Sequence, residues 1–409
     1  MDVSKYKSTS IGLIPIDWDV NKFDKVTKLI TCGLASTPTY VEAKIGMPFF
    51  SAQNVQDGKV INGNYKYIPI QLYNQITKHS KPCKGDILYT RVGAGIGEAG
   101  IIDFDLDFGI YVSLTLIKSD IEKLHNYFLL HLLNSDYYRY LAKRDQFAGG
   151  GVQNLNVQVV KEFRIPLPPI QEQQKIATIL STWDVAIDNC KNIIKKISDR
   201  NKGLEQQFLS GKIRVKGFEK SQWHLKSVEE VAVFKNGKAH ENCIDEEGDY
   251  FVVNSKFIST QGKVAKASNE NLCPLFKNDI TMVMSDIPNG KAFAKCFYIP
   301  EDDKYTLNQR ICALTARKGT DSKFLYYQMN RNNYYLAFNN GVSQTNLKKD
   351  EVLECPLLMP DIEEQIQIVK LIDTANEELN QYQQKLETLQ LQKKGLIQQL
   401  LTGKTRVKI

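Results

Sequence analysis

Few residues in this chain are spaced for chemistry. Gly95-Ile96-Gly97-Glu98-Ala99-Gly100 fits G-x-G-x-x-G, a run that cradles a dinucleotide phosphate when a strand precedes it and a helix follows. Ile87-Leu88-Tyr89-Thr90 supplies a candidate strand. Ile101 through Ile117 is rich in Asp, Gly and β-branched residues, so a tight glycine turn is expected, not a cofactor loop. Leu167-Pro168-Pro169-Ile170 lacks the amide or carboxylate that must hold an exocyclic amine, and the aromatic ring that stacks on a base. No P-loop, nucleophile elbow or His-Glu-x-x-His is written here. Eight cysteines without a Cys-x-x-Cys, and five dispersed histidines, do not form a zinc pattern. No catalytic, cofactor-binding or metal-binding residue is therefore expected.

The 409 residues carry a net charge of +7, with 42% hydrophobic and 24% charged residues. That composition suits two ordinary globular domains with connectors. The positive balance favours a polyanionic partner only weakly. No apolar run is long enough to span a bilayer, and no secretory apolar core follows Met1. With cysteines that read as reduced thiols, the expected compartment is the cytoplasm.

What positions any functional residue here is a duplication. Pro168–Lys216 and Pro360–Lys408 align without a gap at a constant offset of 192 residues, with 17 of 49 positions identical. Each copy begins with Pro, Ile and Glu-Gln (Glu172-Gln173, Glu364-Gln365) and ends in Gly-Lys and Arg-Val-Lys. Apolar residues recur in steps of four and three. The first copy has Ile176, Leu180, Trp183, Ile187, Cys190, Ile194 and Ile197. The second has Ile368, Ile372, Ala375, Leu379, Tyr382, Leu386 and Leu389. This 3.5-residue stripe predicts two coiled-coil helices, each about 60 Å long at 1.5 Å per residue. Asn201 and Lys393 interrupt the stripe at equivalent positions and would pin register. Asp361 is a plausible N-cap with Glu364 at the capping-box position. Gly203 and Gly395, retained inside both helices, point to a close backbone approach or a docked partner, and equally to a simple helix irregularity. Connectivity predicts an antiparallel pair within one chain, with pseudo-twofold symmetry and a head at each end.

The remaining segments resemble each other in outline. Trp18 and Trp223 open them, and Gly-Lys-Val turns follow (Gly58–Val60, Gly262–Val264). A Lys-x-Asp-Ile run leads into a strand in each, at Ile87 and Ile280. One aromatic-rich helix is expected around 122–144 and another around 321–339, and polar loops close each segment at Gln153-Asn154-Leu155 and Thr345-Asn346-Leu347. The predicted class is α+β. Two similar mixed domains (1–165 and 217–357) would be separated by two long antiparallel helices (166–216 and 358–409).

This layout resembles the DNA-specificity subunit of type I restriction–modification systems across essentially the whole chain. The resemblance rests on Ile165-Pro166-Leu167-Pro168-Pro169 leading to Glu172-Gln173, and on Gly211-Lys212-Ile213-Arg214. It rests further on Gly85-Asp86-Ile87-Leu88 with Arg91-Val92-Gly93-Ala94, and on the Gly150–Leu155 loop. The second head departs from that run at Asp279–Asp286 and Asn289–Lys291. The resemblance implies two target-recognition domains that read a split double-stranded DNA sequence, and a non-catalytic chain. It implies two methyltransferase subunits that bind S-adenosylmethionine, and ATP- and Mg-dependent restriction subunits. Half-sites about one DNA turn apart, about 34 Å, fall within such a helix's reach.

Arginine and amide side chains suit base edges, and lysines suit phosphates. On that reading the contact residues are Arg91, Gln153, Asn154, Lys59 and Arg144 in the first head. In the second they are Lys291, Arg310, Gln344, Asn346 and Lys263. A self-contained DNA methyltransferase or restriction enzyme, and a coiled-coil adaptor without DNA, are the competing readings.

Overall fold

In the computed structural model, residues 5–144, 154–287, 291–339 and 345–408 are described. The chain divides into two compact units, residues 1–191 with 384–409 and residues 192–383. The division runs through both long helices, so each unit owns one head and half of each helix.

In the first unit, a six-stranded sheet has the order 27–32, 114–119, 87–90, 99–101, 59–60, 55–56. Its central strand, Ile87–Thr90, is buried at every residue. A three-stranded sheet (109–110, 46–50, 66–69) stands beside it. Helices Asn126–Leu133 and Asp136–Arg144 bring Phe128, Leu129, Leu133 and Tyr138 into one core with Ile87, Tyr89 and Trp18. The single helix expected around 122–144 is thus two. Asn134 sits at the break and spends its amide on both backbone groups of Ala99, at 3.1 and 2.9 Å.

The second unit repeats this plan. Its four-stranded sheet has the order 232–236, 311–316, 280–283, 296–298, beside a three-stranded sheet of 267–268, 250–253 and 305–307. Strands 46–50 and 109–110 of the first unit pair in parallel, as do 250–253 and 305–307 of the second. Here too the expected helix is broken, into Ser322–Met329 and Asn333–Leu336. Asn330 accepts from the Cys296 amide, and Arg331 takes a left-handed φ of 59°. Among the described residues, the second head's sheet lacks the strands that residues 55–60 add to the first.

The long helices span Ile170–Leu209 and Ile362–Leu400. Both stop where the sequence predicts, before Gly211 and Gly403, whose left-handed φ values of 69° and 70° favour a residue without a Cβ. Within each unit the helix halves run antiparallel. In the first, Leu400 joins the core of Ile176 and Leu180 while Lys393 pairs with Asp184. In the second, Asn201 donates to the Ala375 carbonyl (2.7 Å), and Phe208 packs against the core holding Ile368 and Ile372. Of the predicted seam, Ile176, Leu180, Ile187, Cys190, Ile197, Ile368 and Ile372 are buried. Trp183, Ile194, Leu379, Tyr382, Leu386 and Leu389 are half-buried.

Two further sequence expectations change. Glu364 is no capping-box residue. Its carboxylate turns inward and accepts from Arg214 Nε and Nη2 (3.0 and 2.8 Å), Ser221 Oγ (2.6 Å) and Trp223 Nε1 (3.0 Å). Charged donors outcompete a lone backbone amide for a buried carboxylate. Burial opposes ionisation of Glu364, yet these donors outweigh it and hold the carboxyl below its ordinary range. The other correction concerns Gly203 and Gly395: a Cβ at either would meet nothing within 4 Å. Among the described residues, no close backbone approach explains them.

The first unit builds the same closure from equivalent residues. Trp18 Nε1 donates to Glu172 (3.0 Å), and Arg406 grips that carboxylate through Nε and Nη2, both at 2.7 Å. Gln173 and Gln365 complete the pattern. Their side-chain amides bond the Lys123 and Pro168 carbonyls in one unit and the Gly319 and Pro360 carbonyls in the other. The duplicated Glu-Gln and Arg thus lock each head to its helix pair.

Candidate nucleic-acid interface

At one edge of each head the chain passes through the same hydrogen-bond frame. In the first, Leu34 N donates to Ile110 O and Val112 N to Leu34 O, both at 2.9 Å. Arg91 N donates to Ser113 O (2.9 Å) and Leu155 N to Arg91 O (2.8 Å). In the second, Lys238 N donates to Leu307 O (3.0 Å) and Gln309 N to Lys238 O (2.8 Å). Met284 N donates to Arg310 O (3.1 Å), and Leu347 N to Met284 O (2.8 Å). Gly33 and Gly237 make the frame possible. A Cβ there would lie 2.1 Å from Ile110 O or 1.9 Å from Asn308 O.

Equal backbones carry unequal side chains. Where the first rim has Leu34, Tyr111, Val112 and Ser113, the second has Lys238, Asn308, Gln309 and Arg310. Beneath them Arg91 corresponds to Met284. Arg310 is exposed and adopts φ 66°, and its guanidinium makes no hydrogen bond or ion pair with the described residues. Strained backbone with an open guanidinium is the kind of feature that collects at recognition sites. Asn346 lies in the short strand Thr345–Asn346, paired with Ser285–Asp286, and is exposed. Lys291 is exposed next to Ala292, whose amide, with that of Phe293, is held by Asp286. Lys263 is exposed on the turn after Ser255–Ser259. Gln344 lies outside the described residues.

The first head differs. Arg91 is only 9% exposed. Its Nε donates to Leu155 O (2.9 Å), Nη1 to Val112 O (3.3 Å) and Nη2 to Asn154 Oδ1 (3.1 Å). It is therefore an internal anchor that fixes Asn154 and Leu155, not an open fork. Lys59 bonds Asp188 of the central helix (2.5 Å) and lines a cavity of about 720 Å³ with His131, Asp184, Lys191 and Lys393. Arg144 lies over the Tyr140 ring at 5.9 Å. Gln153 lies outside the described residues. Sequence reading passed over Lys238, Asn308 and Gln309. Aligning the heads on Gly33 and Gly237 was the signal that could have found them.

Among the described residues no group of three or more His, Cys, Asp or Glu could hold a metal, and no helix is long and apolar enough to cross a membrane. The arrangement offers hydrogen-bonding edges on two framed rims.

Comparison with known proteins bears on what such rims are for. Residues 15–199 and 220–390 each match the type I restriction modification DNA specificity domain. A putative type I restriction enzyme MjaX specificity subunit of Methanocaldococcus jannaschii is 26% identical, over 98% of this chain and 97% of its own. The MjaVIII specificity subunit of the same organism is 22% identical, over 97% and 94%. The crystal structure of a type I restriction–modification S subunit from M. genitalium superposes with a TM-score of 0.56 at 17% identity, covering 96% of this chain and 97% of that one. Two matched domains, one per head, account for most of the sequence, and the chain belongs to the type I restriction–modification DNA-specificity family.

Proposed function

We propose that this chain is the sequence-reading subunit of a type I restriction–modification complex, with each head reading one half of a bipartite double-stranded DNA site. The observation that carries this is the pair of rims: one backbone frame, used twice, with different side chains. A scaffold that must present two different words needs a constant mount and variable edges. Arg310, Gln309, Asn308 and Asn346 offer donors and acceptors to base edges in the second head, while Lys238, Lys263 and Lys291 suit phosphates. In the first head Asn154, held by Arg91, is the corresponding reader.

The chemistry then belongs to partners. Two methyltransferase subunits would bring S-adenosylmethionine, and restriction subunits would bring ATP and Mg. The long helices are the natural mount for both. The test is a head exchange: replace residues 1–165 with the equivalent segment of a relative, co-express with the methyltransferase, and sequence the methylome. One half of the modified site should change and the other stay. Change in both halves, or methylation by the isolated chain, overturns the reading.

A further inference from the structure

The repeat makes each half of the chain a potential partner for a second copy of itself. The closure residues permit it: Arg214 and Arg406 are equivalent, as are Glu172 and Glu364, so either arginine could close either head. The middle of the seam is different. In the second unit Asn201, 6% exposed, donates to Ala375 O (2.7 Å) and lies 3.4 Å from Asn376 Oδ1. The equivalent residues of the first unit, 192 positions away, are Lys393 and Asp184, which form an ion pair. One unit thus has a neutral pair where the other has a charged one. Beside them Arg200 pairs with Glu378 at 2.5 Å, where the first unit has Gln392 and Ala186.

We infer that these unequal pairs make the two halves of the chain select each other and reject a second copy of themselves. If two first halves paired in the same register, Asn201 would face Asp184, and Arg200 would face Ala186. Two carboxylates and two guanidiniums would lose their opposite charges. If two second halves paired, Lys393 would face Asn376, and Gln392 would face Glu378. Asp373, one turn away, is already engaged by Lys323 Nζ (2.7 Å) and the Tyr327 hydroxyl (2.6 Å). Asp184 could not turn to His131 for compensation, because that imidazole is buried and held neutral. Polar seam residues specify partners in this way by penalising the wrong pairing more than they favour the right one.

The test uses the full chain carrying a protease site between the exposed Glu219 and Lys220, cut after folding. The cut chain is unfolded, refolded by dilution, and its complexes are counted by native mass spectrometry. Heterotypic complexes should exceed either homotypic one by about tenfold against the twofold that chance gives, a fivefold preference of about 1 kcal/mol. A D184N/K393N/R200Q/E378A variant, in which all the pairings become alike, should refold with roughly half its complexes homotypic, as chance dictates. A random mixture from the native sequence, or strict heterotypic pairing in the variant, overturns the proposal. Should the cut chain not refold, the uncut chain decides. D184N/K393N must unfold closer to wild type than either single change, and additive losses overturn the inference.

Discussion

Arg406 and Glu172 lie 234 residues apart in sequence and meet through two parallel hydrogen bonds of 2.7 Å, with the Glu172 side chain wholly buried. The same guanidinium holds Asp17 at 2.8 and 2.7 Å. The chain's last segment thereby fastens its first head. Arg406→Ala would strand a carboxylate without solvent. A loss of about 3 kcal/mol is expected, the low end for a buried pair because the arginine is partly exposed. Lysine cannot reproduce the fork, so R406K should recover only part of the loss. Urea unfolding measures both, and R214A should cost a similar amount through Glu364.

A pH dependence follows from His131. Burial, with Lys393 adding a smaller effect, pushes its pKa from 6.5 down to about 3. Asp184 lies 3.8 Å from the ring and would favour protonation, but Lys393 already occupies that carboxylate and burial dominates. The folded chain thus refuses a proton that the unfolded chain accepts. Stability is full above about pH 6.5 and falls as the pH drops, by about 1.4 kcal/mol per unit, or roughly 2 kcal/mol by pH 5. Glu364, held below its ordinary 4.5, adds a second loss as the pH falls beneath that value. H131N should flatten the first slope and leave the second, a separation that thermal unfolding at stepped pH would read.

Arg310 gives a prediction on recognition. Its φ of 66° means that Arg310→Gly preserves the turn while deleting the guanidinium. The assembled complex should lose about 1–3 kcal/mol of specific affinity and relax its choice of base in one half-site only. Lys263→Ala should instead weaken binding evenly across sequences and reduce the salt slope by about one. Filter binding at several salt concentrations distinguishes the two.

The equivalence of Arg91 and Met284 suggests a matched exchange. R91M keeps an unbranched side chain in the place where the second head tolerates one. It removes three donors, however, and leaves the buried Leu155 carbonyl without its charged partner. About 2 kcal/mol should be lost, and hydrogen exchange should rise around Asn154 and not around Asn346.

The helices were legible because heptad spacing is local and the offset of 192 appears twice. Tertiary roles were not. Glu364 has the right spacing from Asp361 for a cap, and only Arg214, 150 residues away, shows why it turns inward. Arg91 has the right chemistry for a base edge, but its burial depends on Leu155 and Val112, which sequence spacing does not connect to it. The available signal was the recurrence itself: Glu172 returns as Glu364 and Arg214 as Arg406, opposite charges that both repeat at the offset of 192. The broken helices escaped notice because Asn134 and Asn330 are unremarkable in a helix until a strand edge claims their amides.

Gly203 and Gly395 provide the last prediction. Each sits inside a long helix, where glycine costs roughly 1 kcal/mol relative to alanine. A Cβ at either position would enter open space. G203A and G395A should therefore each raise the stability of the isolated chain by about 0.5–1 kcal/mol, and the double variant should show the sum because the sites do not touch. Thermal unfolding measures this directly. A loss in place of a gain would mean that the helix backbone bends at these glycines in solution. A gain in the isolated chain with weakened capture of the methyltransferase subunit would place a partner's backbone against the same two positions.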